Sequence, residues 1–286
     1  MQKHPSLKHS SPAPFLKWIG GKSNLMDRIE PLLRAFGPRT RLVEPFVGGG
    51  SVFLRAFFNE YLLLDANPHL IELYQSIQTD TATFIRKANP LFAASANCEE
   101  IYYTIRAAFN DESDPLSRAA YFLYLNKFGY RGIARYSGKG RFNTPFGHNR
   151  LPGFPEQEIL AFADRSVSAT FRHADFTEAF RDLRLGDIVY CDPPYLDTES
   201  KPSFRDYVPG GFSAERQREL ADLARATAQK GIPVIVSNHL TPESGALYHG
   251  SVVHEVSVKR NLNPKSGLQR TTEGLFVFEP CGYKEA

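Results

Sequence analysis

The chain has 286 residues, of which 42% are hydrophobic and 23% charged, with a formal net charge of +3 at pH 7. These proportions are typical of a soluble globular protein and argue against wholesale disorder, and the length suits one large domain or a core with an insertion. No apolar run reaches the roughly 18 residues that cross a bilayer, and Met1–Ser11 lacks an apolar leader, so we expect a cytoplasmic protein with no membrane partner.

The three cysteines and the charge distribution narrow the class of protein further. Cys98, Cys191 and Cys281 are far apart and in no Cys-x-x-Cys spacing, which predicts reduced thiols and no metal site. Three tracts lack Asp and Glu but carry four, seven and four Lys or Arg: residues 1–26, 115–155 and 256–272. A single such tract is most often a solvated loop, but three of them indicate a polyanionic partner.

In chain order, the first elements form a strand, a glycine turn and a helix. Arg41–Glu44 is a short apolar strand, Pro45–Gly50 is the turn, and Ser51–Asn59 carries apolar residues at helical spacing. A second apolar run, Tyr61–Leu64, ends in Asp65 and closes a β-α-β unit.

The pattern then turns helical and aromatic over residues 66–155, which predicts an inserted helical domain. Asp114 and Pro115 are typical of the start of a helix, and Leu116–Phe128 is apolar nearly all round. The α/β pattern resumes afterwards. We predict strands at 169–174, 187–191 and 233–237, a helix at 214–230, and a closing antiparallel pair at 252–258 and 274–279 joined by a basic loop, 259–272.

The glycine turn and Asp65 together favour a nucleoside cofactor. Glycines let a ligand approach the backbone, and the helix that follows presents unpaired N–H groups. Asp65 lies where a carboxylate can accept hydrogen bonds from ribose hydroxyls. Alternatively this is a tight structural turn, since the third glycine of a dinucleotide fingerprint is replaced by Phe53.

The most informative motif is Asp192-Pro193-Pro194-Tyr195, directly after the predicted strand 187–191. The amino nitrogen of adenine is a weak nucleophile because its lone pair is delocalised into the ring. The Asp192 carboxylate and the Pro193 carbonyl can each accept one amino hydrogen and localise that lone pair. The prolines would hold the carbonyl rigidly, and Tyr195 would offer a flat face to a displaced base. A proline-rich turn with a capping Asp is the alternative.

These motifs resemble the DNA adenine methyltransferase (Dam) family, the D12 class, over almost the whole chain. The elements shared in order are residues 15–22 (FLKWIGGK), 44–50 (EPFVGGG), 65–67 (DAN), 126–147 and 190–195 (YCDPPY). The resemblance implies a Rossmann-like class I S-adenosylmethionine-dependent methyltransferase core, residues 1–67 with 156–286. It also implies a mainly helical DNA-recognition domain with a β-hairpin, residues 68–155. The implied reaction is transfer of a methyl group from S-adenosylmethionine to N6 of an adenine flipped out of double-stranded DNA, by a monomer without a metal.

By the same resemblance, a set of residues supports the cofactor. On the residues alone, Trp18 is more typical of a core aromatic and Lys22 of a surface charge, but the shared motif favours the pocket. Asp65 would hold the ribose, and Asp175 with Phe176 would flank the cofactor's adenine. The full predicted set is Trp18, Lys22, Phe46, Gly48, Asp65, Asp175, Phe176 and Asp192.

Tyr and Phe are interleaved with Lys and Arg over residues 128–150. The basic side chains suit neutralisation of phosphates, and the aromatic rings suit insertion into a base stack. A solvated charged hairpin with core aromatic residues is the alternative. In the family this segment enters the DNA, and Arg135 would contact a guanine while Ile133 and Pro145 meet a thymine methyl. The family resemblance makes GATC the expected recognition site. At two positions this chain differs from the family: Arg131 stands where an Asn is expected, and Asn149 stands where an aromatic residue is expected. An altered sequence preference therefore stays open. The predicted DNA contacts are Lys17, Tyr130, Arg131, Ile133, Arg135, Pro145 and Lys265.

Three other functions stay open at this point. A methyltransferase acting on cytosine, RNA or glutamine would share the fold, but Asp at position 192 favours adenine. A catalytically silent DNA-binding module is disfavoured because Asp65 and Asp192 are both present. A nicotinamide dehydrogenase is the weakest of the three, since the glycine fingerprint is incomplete.

Overall fold

The fold is a mixed seven-stranded sheet with helices on both faces, in a computed structural model that describes residues 13–195, 212–260 and 269–282. The strands are β1 Arg41–Glu44, β2 Glu60–Asp65, β3 Ala169–His173, β4 Asp187–Cys191, β5 Val234–His239, β6 Val252–Arg260 and β7 Gln269–Phe278. The helices are α1 Met26–Ala35, α2 Ser51–Arg55, α3 Pro68–Thr79, α4 Thr81–Ala88, α5 Glu99–Asp111, α6 Pro115–Phe128, α7 Glu156–Ser166, α8 Phe176–Arg181, α9 Ala214–Gln229 and α10 Pro242–Leu247.

The strand order is β3-β2-β1-β4-β5-β7-β6, with the first five strands parallel and β7 antiparallel to both of its neighbours. The chain leaves β1 in one direction and returns in the other at β4, so the topological switch point lies between these two strands. At the opposite end, Arg41 donates two hydrogen bonds to the buried Asp187 carboxylate, which fixes the register of β1 against β4.

Side chains alternate between the two faces of the sheet and form two buried clusters. On one face, Leu42 and Leu63 join the larger cluster beneath α1, α3 and α7. On the other, Val43, Leu62 and Val189 pack with residues of α8 and α9. A sheet that is buried on both faces accounts for the nearly continuous apolar runs of its parallel strands.

Helices α3 to α6 lie between β2 and β3 in the chain, as the aromatic pattern predicts. Asp114 accepts a hydrogen bond from the Ser117 N–H and Pro115 is the first residue of α6, so the predicted start of this helix is confirmed. Most of α6 is buried because α3, α4 and α5 all pack against it. Arg118 of α6 pairs with Glu72 of α3, so an ion pair joins the last of these four helices to the first.

Two predicted boundaries differ from the structure by more than two residues, whereas the other predicted strands and the helix α9 agree with it within two residues at each end. The helix after the glycine turn ends at Arg55 rather than Asn59, because the Tyr61 hydroxyl donates to the Ala56 carbonyl at 2.9 Å and thereby replaces a helical partner. The predicted loop 259–272 is shorter, because the β6–β7 ladder continues to the pair Arg260 and Gln269. Residues 261–268 lie outside the described part of the chain.

Candidate active site

Three carboxylates lie at the carboxyl edge of the sheet, at or just after the ends of neighbouring strands. Glu44 ends β1, Asp65 ends β2, and Asp192 directly follows β4. Because β2, β1 and β4 are adjacent and parallel, these ends meet at one edge, beside the switch point. The edge is where open α/β sheets bind ligands.

The glycine turn after β1 is held by Asp65 and covered by Trp18. The Asp65 carboxylate accepts hydrogen bonds from the Gly48 N–H at 3.0 Å and the Asn67 N–H at 2.9 Å. Gly48 has a φ of +48°, and a Cβ built on it would lie 2.9 Å from the Trp18 indole nitrogen. A Cβ on Gly49 would lie 2.8 Å from the Trp18 Cβ. The turn therefore needs glycine at both positions.

Lys22 forms an ion pair with Asp192 inside this site. Its Nζ lies 2.9 Å from Asp192 Oδ1 and 3.9 Å from Glu273, and it donates to the Gly20 carbonyl at 2.8 Å. The Lys22 side chain is 4% exposed, whereas that of Asp192 is 21% exposed. Burial raises the pKa of Asp192 and Glu273 adds to this, while Lys22 opposes both. The ion pair thus favours the acceptor form of a carboxylate that solvent still reaches.

The rest of the Asp-Pro-Pro-Tyr loop is anchored on β5 and β7. The Tyr195 hydroxyl lies 3.0 Å from the Ser237 hydroxyl and donates to Glu273 at 3.3 Å. Its ring meets the His239 ring edge-on at 4.6 Å and the Lys22 Nζ at 4.9 Å. The Tyr195 side chain is therefore held by both strands, and it is a fixed wall of the site.

Glu44 is a buried carboxyl with an unmet hydrogen-bonding requirement. It is 2% exposed, and its Oε1 has no hydrogen-bond partner. Burial raises the pKa of Glu44 well above its usual range, and the nearby Asp192 charge adds to the shift. A buried acceptor without a donor is costly unless a ligand supplies the donor. A cationic or N–H-bearing ligand group would supply this donor, and a positive charge there would oppose the rise in the pKa of Glu44.

The structure brings Phe46 and Phe176 together but gives Asp175 a structural role. The two Phe rings stack at 5.3 Å. Asp175 caps α8 by accepting from the Thr177 N–H, and its other oxygen pairs with Arg216. The guanidinium of Arg216 lies 4.3 Å from the Phe176 ring. Both oxygens of Asp175 are therefore engaged on the protein surface beside the aromatic pair.

The predicted recognition segment is an irregular loop rather than a full hairpin. Only two isolated antiparallel bridges connect its arms, Gly129 with Phe146 and Tyr136 with Phe142, within the described part of the chain. The Tyr130 N–H donates to the Pro145 carbonyl at 2.9 Å, which brings these two predicted contact residues together. Further main-chain hydrogen bonds join the arms, from the Asn143 N–H to the Arg135 carbonyl at 2.9 Å and from the Gly147 N–H to the Phe128 carbonyl at 2.9 Å, and the Phe142 and Phe146 side chains are buried.

Arg131 and Tyr130 form an exposed pair at the start of this segment. Arg131 has a φ of +55°, a conformation that favours Gly and Asn over Arg. Its guanidinium lies 5.2 Å from the Tyr130 ring, which is 44% exposed. The left-handed conformation of Arg131 costs on the order of 1 kcal/mol, and it places the guanidinium beside an exposed aromatic ring.

Arg135 is exposed but pinned to the opposite arm. Its Nε donates to Asn143 Oδ1 at 2.7 Å, and an Nη donates to the Asn143 carbonyl at 3.0 Å. Ile133 and Pro145 are partly exposed in the same segment. A guanidinium whose orientation is fixed before binding is better suited to a directional contact than a free one.

Lys17 is fixed against the helical segment by Asn126. The buried Asn126 amide accepts from the Lys17 N–H at 2.9 Å and donates to the Lys17 and Gly132 carbonyls at 2.8 and 3.0 Å. The Lys17 ammonium donates to the Lys127 carbonyl at 2.8 Å. Lys265, the last predicted DNA contact, lies outside the described residues.

Several residues of the site carry no pattern that marks them. Glu273 and Ser237 lie on apolar strands, and only an isolated acid at an inward position of β7 could have drawn attention to Glu273. Among the described residues, no cluster of three or more His, Cys, Asp or Glu could hold a metal ion. No helix in the described ranges has the length and apolar character of a membrane span.

Comparisons with known proteins bear on this geometry. The family model for D12 class N6 adenine-specific DNA methyltransferases matches residues 18–262. The DNA adenine methylase of Vibrio cholerae is 41% identical over 269 residues, 93% of this chain and 96% of the relative. The DNA adenine methylase of Escherichia coli K12 is 39% identical, over 94% of this chain and 95% of the relative. The one of Haemophilus influenzae is 40% identical, over 96% of this chain and 95% of the relative. Among solved structures, an rRNA methyltransferase from Streptomyces viridochromogenes aligns over 95% of this chain and 94% of its own at 12% identity, with a TM-score of 0.36, too low to support an argument.

Proposed function

This chain belongs to the D12 class of N6 adenine-specific DNA methyltransferases, and from that premise we propose that it transfers the methyl group of S-adenosylmethionine to an adenine turned out of double-stranded DNA. The observation that carries the proposal is the position of Asp192-Pro193-Pro194-Tyr195 at the carboxyl edge of β4, beside the glycine turn that follows β1. A base inside the duplex is out of reach of such an edge, so the target nucleotide must leave the stack.

The proposed role of the loop follows from hydrogen-bond chemistry. The Asp192 carboxylate and the Pro193 carbonyl each accept one hydrogen of the adenine amino group, which localises the nitrogen lone pair for attack. Lys22 holds one carboxylate oxygen at 2.9 Å and so orients the group. Tyr195, fixed by Ser237 and Glu273, forms a wall against which the base stacks.

The residues present fit the proposed cofactor. S-adenosylmethionine supplies a methyl group on a positively charged sulfur. The unpartnered Glu44 Oε1 suits the cationic amino group of its methionine part. The glycine turn under Trp18 admits a ligand against the backbone, and Asp65 would bind the ribose. Phe46 and Phe176 would contact the adenine, and no metal is required.

On the DNA side, we propose that residues 68–155 form the recognition domain on a catalytic domain of residues 1–67 and 156–286. Lys17 and Arg131 would neutralise phosphates near the target, and Tyr130 would fill the gap in the base stack. Arg135 would read a guanine, with Ile133 and Pro145 against a thymine methyl, as expected for GATC.

The proposal predicts a pH dependence of DNA binding that arises from Lys127, a neighbour of the proposed phosphate contact Lys17, whose ammonium donates to the Lys127 carbonyl at 2.8 Å. Burial lowers the pKa of Lys127 to about 8, with the charge of Lys17 adding to the effect and Glu158 opposing it. As pH rises through this value the ammonium loses its charge, and so its attraction for phosphate. We expect duplex affinity, measured by fluorescence anisotropy at fixed salt, to fall more steeply between about pH 7 and pH 9 in the parent protein than in Lys127→Arg.

The matched control is Lys87→Arg, a lysine on α4 that pairs with Asp114 on the surface. This variant should keep the pH dependence of the parent protein. If Lys127→Arg also keeps it, Lys127 does not contribute to DNA binding through its charge.

The proposed function is tested by product analysis. The protein is incubated with methyl-labelled S-adenosylmethionine and a library of random duplexes, and the DNA is then digested to nucleosides and sequenced for modified sites. We expect the label in N6-methyladenine only, within one short sequence. Label in cytosine, or DNA binding without any transfer, would refute the proposal.

A further inference from the structure

The second proline carbonyl of the Asp192–Tyr195 loop is bonded by a buried glutamine from another element. Gln217 lies in the first turns of α9 and is fully buried. Its Nε2 donates to the Pro194 carbonyl oxygen at 2.7 Å. No motif marks this residue in the sequence, and the proposed chemistry leaves it without a role.

Two further buried side chains fix the Gln217 amide. The Tyr248 hydroxyl donates to Gln217 Oε1 at 2.7 Å. Asn238 Nδ2 lies 3.3 Å from the same oxygen and 3.2 Å from the Tyr248 hydroxyl. Tyr248 and Asn238 are only 1% and 2% exposed, so no solvent competes for these bonds. Both the nitrogen and the oxygen of the Gln217 amide are thus engaged.

Backbone groups at the two ends determine how both amides are oriented. The Pro194 carbonyl can only accept, so Gln217 must turn its NH₂ toward it. The His239 N–H can only donate, and it donates to Asn238 Oδ1 at 2.8 Å, so Asn238 must turn its NH₂ toward Gln217 and Tyr248. The result is a single chain of donors and acceptors from the end of β5 to the loop, in which each bond polarises the next.

The loop has few other ways to be held by its main chain. Neither Pro193 nor Pro194 has an N–H, so this part of the backbone can be held only through its carbonyl groups. In the proposed function the Pro193 carbonyl must remain available for the adenine amino group. The Pro194 carbonyl is the next one along the chain, and it is the one that Gln217 binds.

We propose that Gln217 is a positioning residue for methyl transfer, which holds the Asp192–Tyr195 loop so that the Pro193 carbonyl faces the adenine amino group. Tyr248 and Asn238 keep the Gln217 amide in the orientation that this requires. The inference rests on the proposed function, because it assigns the Pro193 carbonyl its acceptor role. If Gln217 has this role, α9, β5 and the turn after α10 also contribute to the rate of methyl transfer.

The test begins with Gln217→Glu, which keeps the shape of the side chain. Its carboxylate can still accept from Tyr248 but cannot donate to the Pro194 carbonyl, and two oxygens would face each other. Small displacements of a reacting group cost up to about 100-fold in rate. We expect the single-turnover rate of methyl transfer to fall about 10- to 100-fold, with the KM for duplex DNA and for S-adenosylmethionine changed by less than about threefold.

A pH profile distinguishes positioning from loss of structure. A protonated carboxyl has an O–H that can donate to the Pro194 carbonyl, and burial favours the protonated form. The rate of Gln217→Glu relative to the parent enzyme should therefore rise as the pH is lowered. The Gln217→Met variant, which has no donor at any pH, should show no such recovery.

A third variant tests the chain of donors and acceptors without changing the glutamine. Tyr248→Phe removes only the hydroxyl and keeps the ring packing on Phe276, which lies 4.8 Å away between centroids. It should lower the rate of methyl transfer, as Gln217→Met does, but by a smaller factor. Because both changes act through the Pro194 bond, the double variant should lose less than the product of the two single losses.

The matched control is Gln78→Glu on α3, whose amide donates to the carbonyls of Ser166 and Ala169 at 2.5 and 2.8 Å, away from the loop. This variant should lower the free energy of unfolding measured in urea but change the rate of methyl transfer by less than about twofold. The inference is overturned if Gln217→Glu and Tyr248→Phe both transfer at the parent rate, or if losses appear only in KM. A parent protein that transfers no methyl group would instead refute the proposed function.

Discussion

An Asp192→Asn variant is expected to transfer methyl groups about 100- to 1000-fold more slowly than the parent enzyme while still binding duplex DNA. The amide offers one accepting oxygen and would direct an NH₂ group either at Lys22, which lies 2.9 Å from Asp192 Oδ1, or at the adenine amino group, itself a donor. Either orientation removes the charged acceptor that localises the nitrogen lone pair. Single-turnover transfer of labelled methyl to a saturating duplex measures this loss.

Asp182→Asn provides the matched control, because Asp182 is a surface carboxylate paired with Arg172. Its transfer rate should equal that of the parent enzyme. DNA affinity, measured in parallel, shows whether Asp192→Asn remains folded. Near-parental transfer by Asp192→Asn would mean that the carboxylate is not the acceptor for the target amino group.

The Arg135→Ala variant should lose discrimination at one base pair of the recognition site by about 1–3 kcal/mol, without a comparable loss on unrelated duplexes. Asn143 holds the guanidinium in a fixed direction through two hydrogen bonds, so it is preorganised for a directional contact with a base edge. The measurement is kcat/KM on a set of duplexes that differ from the preferred site at a single pair.

Arg141→Ala is the control for charge alone. Arg141 is an exposed arginine of the same segment that pairs with Asp111 at 2.8 Å. Its removal should weaken all duplexes by a similar, small factor. If Arg135→Ala behaves in the same way, with equal losses on every sequence, then Arg135 contacts phosphate and reads no base.

Local patterns were sufficient to predict most elements of the sheet. The strand Asp187–Cys191 is as predicted, because the four-residue apolar run 188–191 is followed by Asp192 and then by a proline pair that cannot continue a ladder. The first β-α-β unit follows from the same logic, and the prediction of a Rossmann-like α/β core is confirmed by the parallel order β3-β2-β1-β4-β5.

What could not be predicted depends on contacts between distant parts of the chain. The position of β7 between β5 and β6 brings Glu273 to Lys22 and Tyr195, and no spacing in the sequence encodes that neighbourhood. Within the described residues 128–147, the predicted hairpin has two isolated bridges and scattered main-chain hydrogen bonds between its arms instead of a continuous ladder, and its Phe142 and Phe146 side chains are buried. The ion pair of Asp175 with Arg216 is likewise a contact between distant parts of the chain, because Arg216 comes from α9.

A structure of the protein with a non-reactive S-adenosylmethionine analogue and a duplex that carries its preferred site tests the central chemical claim most directly. We expect an extrahelical adenine whose amino nitrogen lies within about 3.2 Å of both an Asp192 carboxylate oxygen and the Pro193 carbonyl oxygen, with the base against Tyr195. An adenine that remains stacked in the duplex, or an amino group bound by neither oxygen, would contradict it.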